Sequence, residues 1–393
     1  MGVVRPSTRW FGVGHSTASD AGDACAEATA SAIGGRDAAI LLVFTSRDQG
    51  LAAMAEAARA GVGPNTEVVG CSTFGEFAPS GLVSNGVVAV ALGGSGVSVR
   101  TAVYRNAAGR QREAGTEVAE TVGSTGRPHE VLVMIPDGAL GRHHEIIRGA
   151  YSIVGAGIPM AGGCAADLSY VKTHQFYGDH SRVDVLSGSV VAALIGSDGP
   201  IGVGMAHGWR PYGEPMSLTS SEETRIYEFD HQPALDVYLR RIGRDASIAN
   251  DVEAMKELTL SYPLGLARRS GEDIRIIYFV DPADRSMVCF ADVHQGALAW
   301  LMETDRESLI NSGQQSCSQA VSSLNGTQPI GVIAFNCGVR KKMLEDGVSE
   351  EIARIVEPAQ GAPVAGFYSM GEIARIRGAR GMHHLTSVSL AFG

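Results

Sequence analysis

Three runs of the chain are almost continuously apolar: "AAILLVFTS" (38–46), "HEVLVMIPDG" (129–138) and "PIGVIAFNCG" (329–338). Runs of this length and composition read as strands buried on both faces. Each is followed by residues at helical spacing. In "RDQGLAAMAEAARAG" (47–61), Leu51, Met54, Ala55 and Ala58 form one stripe and Gly61 closes it. The counterparts are "GRHHEIIRGAYSIVG" (141–155), one helix, and "VRKKMLEDGVSEEIARIVEP" (339–358), one or two. A glycine-bearing loop comes next: "VVGCSTFGEF" (68–77), "IPMAGGCAADL" (158–168) and "VAGFYSMGEI" (364–373). A closing strand completes each copy: "GVVAVAL" (86–92), "SGSVVAALIG" (187–196) and "HHLTSVSLAFG" (383–393).

The spacings agree. Phe44 to Gly70 is 26 residues, Ile135 to Gly162 is 27, and Phe335 to Gly366 is 31. The pattern predicts three copies of a strand–helix–strand–loop–strand unit. Strand–helix–strand crossovers give parallel pairs and the remaining strands antiparallel ones. The expected fold class is therefore α/β, a layered sandwich of mixed β-sheets with flanking helices.

Around the copies, "WFGVGHS" (10–16) reads as a strand. Residues 20–33 read as a helix capped by Ser19 or Asp20. "GVVAVAL" and "GVSVRTAVY" are expected to form a hairpin through "GGSG". "PALDVYLRRIG" (233–243) has the stripe of an amphipathic helix, and "DIRIIYFVDPADRSMVCFADV" (273–293) reads as a hairpin turning at "DPAD". A division within 200–232 separates a first part, 1–205, from a second, 206–393.

The loops 68–77 and 364–373 both carry Gly-x-x-x-x-Gly-Glu. A phosphate loop aims backbone N–H groups and a Lys at phosphate oxygens. Glu76 and Glu372 invert that charge, so the pattern suits a cationic group instead. The bland alternative is that each Glu ties down its own turn. The middle copy has Asp167 at a shorter offset.

Composition narrows the function classes. At 45% hydrophobic and 19% charged, the chain is an ordinary globular protein. Its net charge of −10, with 28 Arg and four Lys scattered along it, argues against a nucleic-acid surface. Six separated cysteines with no CxxC pair point away from structural zinc or a disulfide framework, and toward a reducing cytoplasm. The first residues lack the apolar stretch of a secretory signal, and no run is long enough to span a bilayer. No metal spacing occurs among the histidines, and no catalytic motif stands out. Cys337 and Arg340 leave the end of a buried strand, where ligands bind in open α/β sheets. Arg340 has the fork that grips a carboxylate.

With these residues in view, the chain resembles the FIST family. The resemblance rests on "LLVFTS", "VVGCSTFGE" and "PMAGGCAADL…THQFYG…SGSVVAALIG" in the first part. In the second it rests on "HGWRPYGEP", "DHQPALDVYL", "AFNCGVRKKML" and "GFYSMGEIA…HHLTSVSLAF". It implies a bacterial sensory domain that binds a small molecule such as an amino acid and performs no catalysis. With no effector within the 393 residues, the output is expected to pass to a signalling protein in trans; a homo-oligomer is left open. Glu372 and Glu76 are expected to receive a ligand amine and Arg340 its carboxylate, with Tyr368, Asn336, Cys337 and His383 shaping the pocket. No cofactor or metal is expected. One alternative is a haem-based nitric oxide sensor using His383 or His207, since some relatives are described as such. Another is a thiol-dependent enzyme at Cys337. The closing motif departs from the family's His-Asn-x-Thr: here it is His383-His384-Leu385-Thr386.

Overall fold

The computed structural model of the chain describes residues 8–169, 172–178, 181–268, 271–376 and 381–393. Residues 1–7, on which the signal-peptide reading partly rests, lie outside them. The chain divides into two compact units: Met1–His207 with Ile310–Met382 and Thr386–Gly393, and Gly208–Leu309 with His383–Leu385.

The first unit is built by three repeats. The first runs β1 (Trp10–Ser16), α1 (Ala21–Ile33), β2 (Ala38–Thr45), α2 (Leu51–Ala60), β3 (Glu67–Ser72), β4 (Glu76–Ala78), β5 (Gly81–Val83) and β6 (Val87–Gly93). Asp20 caps α1 by accepting from the Asp23 N–H at 2.9 Å. The second runs β7 (Val97–Tyr104), α3 (Gln111–Val122), β8 (His129–Pro136), α4 (His143–Val154), β9 (Met160–Gly163), β10 (Gln175–Gly178), β11 (Val183–Leu186) and β12 (Val190–Ser197). The third opens with β13 (Ile201–Ala206) and then breaks off.

The break holds most of the second unit: β14 (Arg210–Glu222), β15 (Arg225–Phe229), β16 (Gln232–Pro233), α5 (Ala234–Arg241), α6 (Val252–Ser261), β17 (Leu264–Arg268), β18 (Gly271–Arg275), β19 (Ile277–Asp281), β20 (Ser286–Cys289) and β21 (Leu298–Glu303). The third repeat resumes with α7 (Arg306–Ser322), β22 (Gly331–Cys337), α8 (Gly338–Leu344), α9 (Val348–Val356), β23 (Val364–Ser369), β24 (Glu372–Arg375), β25 (Gly381–His383) and β26 (Ser387–Phe392). The second unit is thus inserted between the first strand and the first helix of repeat three.

Sheet order shows how the repeats interlock. The three sheets of the first unit read β1-β6-β2-β3-β10-β11, β7-β12-β8-β9-β24-β25 and β13-β26-β22-β23-β4-β5. Each repeat supplies four strands to its own sheet and lends the hairpin after its glycine loop to another. Repeat one lends to three, three to two, and two to one, a closed cycle. The central pairs β2/β3, β8/β9 and β22/β23 are parallel, as the crossovers require, and their other partners are antiparallel.

One core draws on all three sheets, with Phe44, Val69, Val131, Ile135, Phe335 and Phe367 buried together. Phe367 packs against both Phe44 (ring centroids 4.6 Å apart) and Phe335 (5.5 Å, edge-on). The other face of β2, β3 and β6 packs against α1 and α2, and that of β8 and β12 against α3 and α4. The mixed α/β sandwich with flanking helices agrees with the sequence reading.

One local expectation is corrected. β6 and β7 do not form a hairpin: β6 lies between β1 and β2, whereas β7 is the edge strand beside β12. The "GGSG" turn carries the chain from one sheet to the next. In the second unit, the sheet path is β18-β17-β21-β14-β15-β20-β19, with β16 added to β15. The hairpin at "DPAD" is present as β19/β20. Its core centres on Leu218, Phe229, Tyr238, Met255 and Leu264. Among the described residues, no helix is long and apolar enough to cross a membrane.

Candidate functional site

The glycine loops lie where the hairpins change sheets, and register aligns them. Gly70 pairs with Val43, Gly162 with Met134 and Gly366 with Ala334. A Cβ on these glycines would stand 1.9, 2.0 and 2.2 Å from the partner residue's carbonyl oxygen. Only a hydrogen fits, which is why each loop begins with glycine.

One step beyond each glycine, the lent strand pairs. Glu76 faces Phe367, Glu372 faces Gly163, and Gln175 faces Cys71. Glu76, Gln175 and Glu372 therefore occupy one position in three copies, and all three are fully buried. Their surroundings match too. The residue before each closing strand is Gly86, Ser189 or Thr386, and each meets the buried side chain. Thr386 gives its N–H and hydroxyl to Glu372 Oε2 at 3.2 and 2.9 Å. Gln175 Nε2 donates to the Ser189 carbonyl at 3.3 Å, and the backbone of Gly86 hydrogen-bonds Glu76. The residue before these, Asn85, Gly188 or Leu385, is left-handed in every copy, with φ of 50°, 62° and 58°. A buried leucine in that region is strained and held by its context.

Hydroxyls complete the carboxyl environments. Thr73 and Ser46 donate to Glu76 at 2.7 and 3.1 Å, and Ser369 donates to Glu372 at 2.8 Å. No ion pair to either carboxyl occurs among the described residues. Burial pushes the Glu76 carboxyl up to about 7 and the Glu372 carboxyl up to about 8, against the pull of these donors.

The phosphate-loop reading fails on geometry as well as charge. The Thr73 N–H donates to the Thr45 carbonyl, Phe74 to the Tyr368 carbonyl and Gly75 to Thr73 Oγ1. These loop amides are spent inside the protein. A lysine does approach the loop, from repeat three. Half-buried Lys341 donates to the Phe74 carbonyl at 2.7 Å, and a Cβ on Gly75 would sit 2.6 Å from its Nζ. Desolvation lowers its pKa and the Glu76 charge opposes that shift.

Arg340 is fully buried and binds Glu351, with Nε at 3.1 Å and Nη2 at 2.5 Å from Oε1. Its Nη1 donates to the His207 carbonyl at 3.2 Å. Tyr368 Oη and Asn336 Nδ2 donate to Glu351 Oε2 at 2.7 and 3.3 Å, and Ser387 donates to Asn336 Oδ1 at 2.8 Å. Arg340, Tyr368 and Asn336 are thus brought together, around a carboxylate of the protein itself. Glu351 was not singled out in the sequence because it lies in the first turn of α9 with only its helical phase to mark it. Cys337 is 3% exposed at the end of β22, and all six cysteines are buried thiols.

The middle copy's counterpart to the two Glu residues is Gln175; Asp167 is partly exposed and accepts from the Ser169 N–H at 3.2 Å. The longer connection from Cys164 to His174 hid this equivalence. Asp137, also missed, directly follows β8. It accepts from the Ala139 and Gly188 amides at 2.8 and 2.6 Å and from the Thr173 hydroxyl. Burial raises the Cys164 thiol's pKa, and the charges of Glu372, Asp137 and Cys71 add to it, so these groups share one junction.

His383 belongs to the second unit, with Nδ1 3.4 Å from Asp273 Oδ1. Burial works against ionisation of Asp273, yet Arg275 at 2.7 Å and His383 hold its pKa well below the usual range. The imidazole is 5% exposed, which leaves no open face for a porphyrin iron. His207 is half-buried with its carbonyl on Arg340. The sealed His383 imidazole, set against Asp273, does not fit haem.

Comparison with known proteins identifies the family. The FIST N domain matches residues 39–232 and the FIST C domain residues 234–375. The chain belongs to the FIST family. FIST domains are sensory domains of signal transduction. "Uncharacterized protein Rv0628c" of Mycobacterium tuberculosis is 24% identical over 215 residues, 53% of this chain and 55% of the relative. "Uncharacterized protein Mb0898c" of Mycobacterium bovis is 25% identical over 224 residues, 56% of each. The chain spans about half the length of the curated relatives it matches. A crystal structure of cyanuric acid hydrolase from A. caulinodans aligns with 50% of this chain and 72% of its own, at 10% identity and a TM-score of 0.27. A likeness that slight carries no argument about function.

Proposed function

We propose that this FIST protein is a cytoplasmic bacterial sensor that binds an amino acid without turning it over. Its ligand site is the junction of the glycine loops, and its signal passes to a protein partner. One observation carries the reading. Two equivalent, fully buried carboxyls, Glu76 and Glu372, have no ion-pair partner among the described residues, and the middle copy fills the position with neutral Gln175. An isolated carboxyl is costly to bury and is kept neutral by taking a proton. A ligand ammonium supplies the missing charge, and the proton leaves as the ion pair forms. Arg340 serves the ligand carboxylate by sharing its guanidinium between Glu351 and the incoming group. Tyr368 and Asn336 follow the same rearrangement, and Cys337 lines the strand end beside them.

The reading requires the loops to open, since these side chains are sealed in the described conformation. Half-buried Lys341, bonded to the Phe74 carbonyl, is a side chain that such an opening would have to release. A thermal-shift panel of amino acids and related amines tests the proposal. A true ligand at a hundredfold over its dissociation constant stabilises by about 2.7 kcal/mol. A flat response across the panel overturns it.

A further inference from the structure

Among the described residues, three of the exposed large apolar side chains come together in the second unit. Val252, Tyr278 and Phe279 are 65%, 52% and 48% exposed and line one cavity of about 280 Å³ in the second unit. Ala249, Met255 and Lys256 complete the part of the lining that matters here. We infer that this cavity, between α6 and the edge strand β19, binds a small aromatic carboxylate. The site is separate from the loop junction and does not rest on the amino-acid reading.

The aromatics are displayed by a defect in the sheet. Among the described residues, β19 ends the strand path and pairs only with β20, and the register slips between Ile277 and Phe279. Plain alternation would turn one of two successive residues inward. The bulge turns both Tyr278 and Phe279 outward, and bulges recur where a side chain is re-aimed at a site. The Tyr278 ring is also backed. It packs on Phe290 at 4.6 Å, and Phe290 stacks on His384 at 6.0 Å. Rings held in this way form a fixed wall for another flat ring. Met255, 2% exposed, ties the lining to the core.

Charge sets the ligand class. Lys256 is the charged residue of the lining, one turn along α6 from Val252. Its ammonium lies 2.7 Å from Glu253, but both side chains are mostly exposed, at 60% and 82%. An exposed pair of that kind is worth little, so a ligand carboxylate can displace it. The volume is at the small end for ligand sites and suits one ring or two fused rings.

Titration of the full chain with benzoate, indole-3-acetate, indole and acetate, followed by ligand-observed NMR, tests this. Both ring carboxylates should bind saturably and acetate should not. Lys256→Ala should weaken the ring carboxylates by about tenfold and leave indole unchanged. Val252→Trp should fill the cavity and abolish binding of all rings. Both positions are exposed, and an unchanged melting temperature confirms an intact fold. Glu372→Gln should leave these affinities as they are, which separates this site from the loop junction. The inference is overturned if no ring compound saturates, or if binding survives Val252→Trp. It is equally overturned if sedimentation reveals a dimer that Val252→Trp dissociates, since the surface then belongs to a second copy.

Discussion

Glu372 concentrates the chemistry of the molecule in one side chain. Its carboxyl has a pKa of about 8 in the folded chain against an ordinary 4.5, and burial is the main cause. Below pH 4.5 folded and unfolded chains both hold the proton, and no penalty arises. Between 4.5 and about 8 the unfolded chain gains by ionising while the folded one cannot, so stability falls as pH rises through that window. Glu76, at about 7, adds a smaller loss of the same sign. Glu372→Gln removes one of the two titrations, and the protein already places Gln175 at the equivalent position of repeat two. The variant should be close to wild type at pH 5 and more stable at pH 8.5, by on the order of 4 kcal/mol. Urea unfolding at the two pH values measures this; a variant weaker than wild type at pH 8.5 contradicts it. The sequence exposed both Glu residues through their shared motif. It could not reveal that their partners are hydroxyls and backbone amides, because Thr386 is 14 residues beyond Glu372 and Ser46 is 30 before Glu76.

Among the elements, the loop glycines and lent hairpins are what hold the junction together. Gly70, Gly162 and Gly366 are interchangeable in role, each abutting a carbonyl of the neighbouring parallel strand. Ala at any of the three must push two central strands apart. Each substitution should cost at least about 3 kcal/mol, among the largest effects expected of a single methyl. Ala at an open glycine such as Gly157 should cost less than about 1 kcal/mol. Similar stability at the crowded and open positions, by chemical denaturation, would refute the equivalence of the repeats. The buried strands and most flanking helices were legible, because continuous apolar runs and helical stripes report local burial. The lent hairpins were not. β4 and β24 are three and four residues long, and their partners lie in another repeat, so no local period marks them. The supposed hairpin of β6 and β7 failed for the same reason: a glycine turn between apolar strands does not say whether they share a sheet.

For the molecule as a whole, the cycle of exchange makes the first unit indivisible. Repeat one completes its sheet with β10 from repeat two, repeat two with β24 from repeat three, and repeat three with β4 from repeat one. A fragment ending at His207 therefore lacks β24 and leaves β4 without its sheet. It should show no cooperative thermal transition by circular dichroism, whereas the full chain should; a sharp transition in the fragment would contradict the cycle. The three repeats were visible in the sequence through spacing alone. Their cyclic order was not, because periodicity fixes what recurs and leaves open which copy pairs with which. The insertion of the second unit after β13 was equally hidden, since the first strand of repeat three ends at Ala206 and the rest resumes only at Arg306.

Isothermal titration calorimetry in two buffers of different ionisation enthalpy tests the central claim most directly. At pH 7, a binding amino acid should give saturable heat whose buffer dependence reports release of a proton, as the buried carboxyls ionise against the ligand amine. Glu372→Gln should reduce that release. Saturable binding with no proton release, or no binding by any amino acid, would contradict the account.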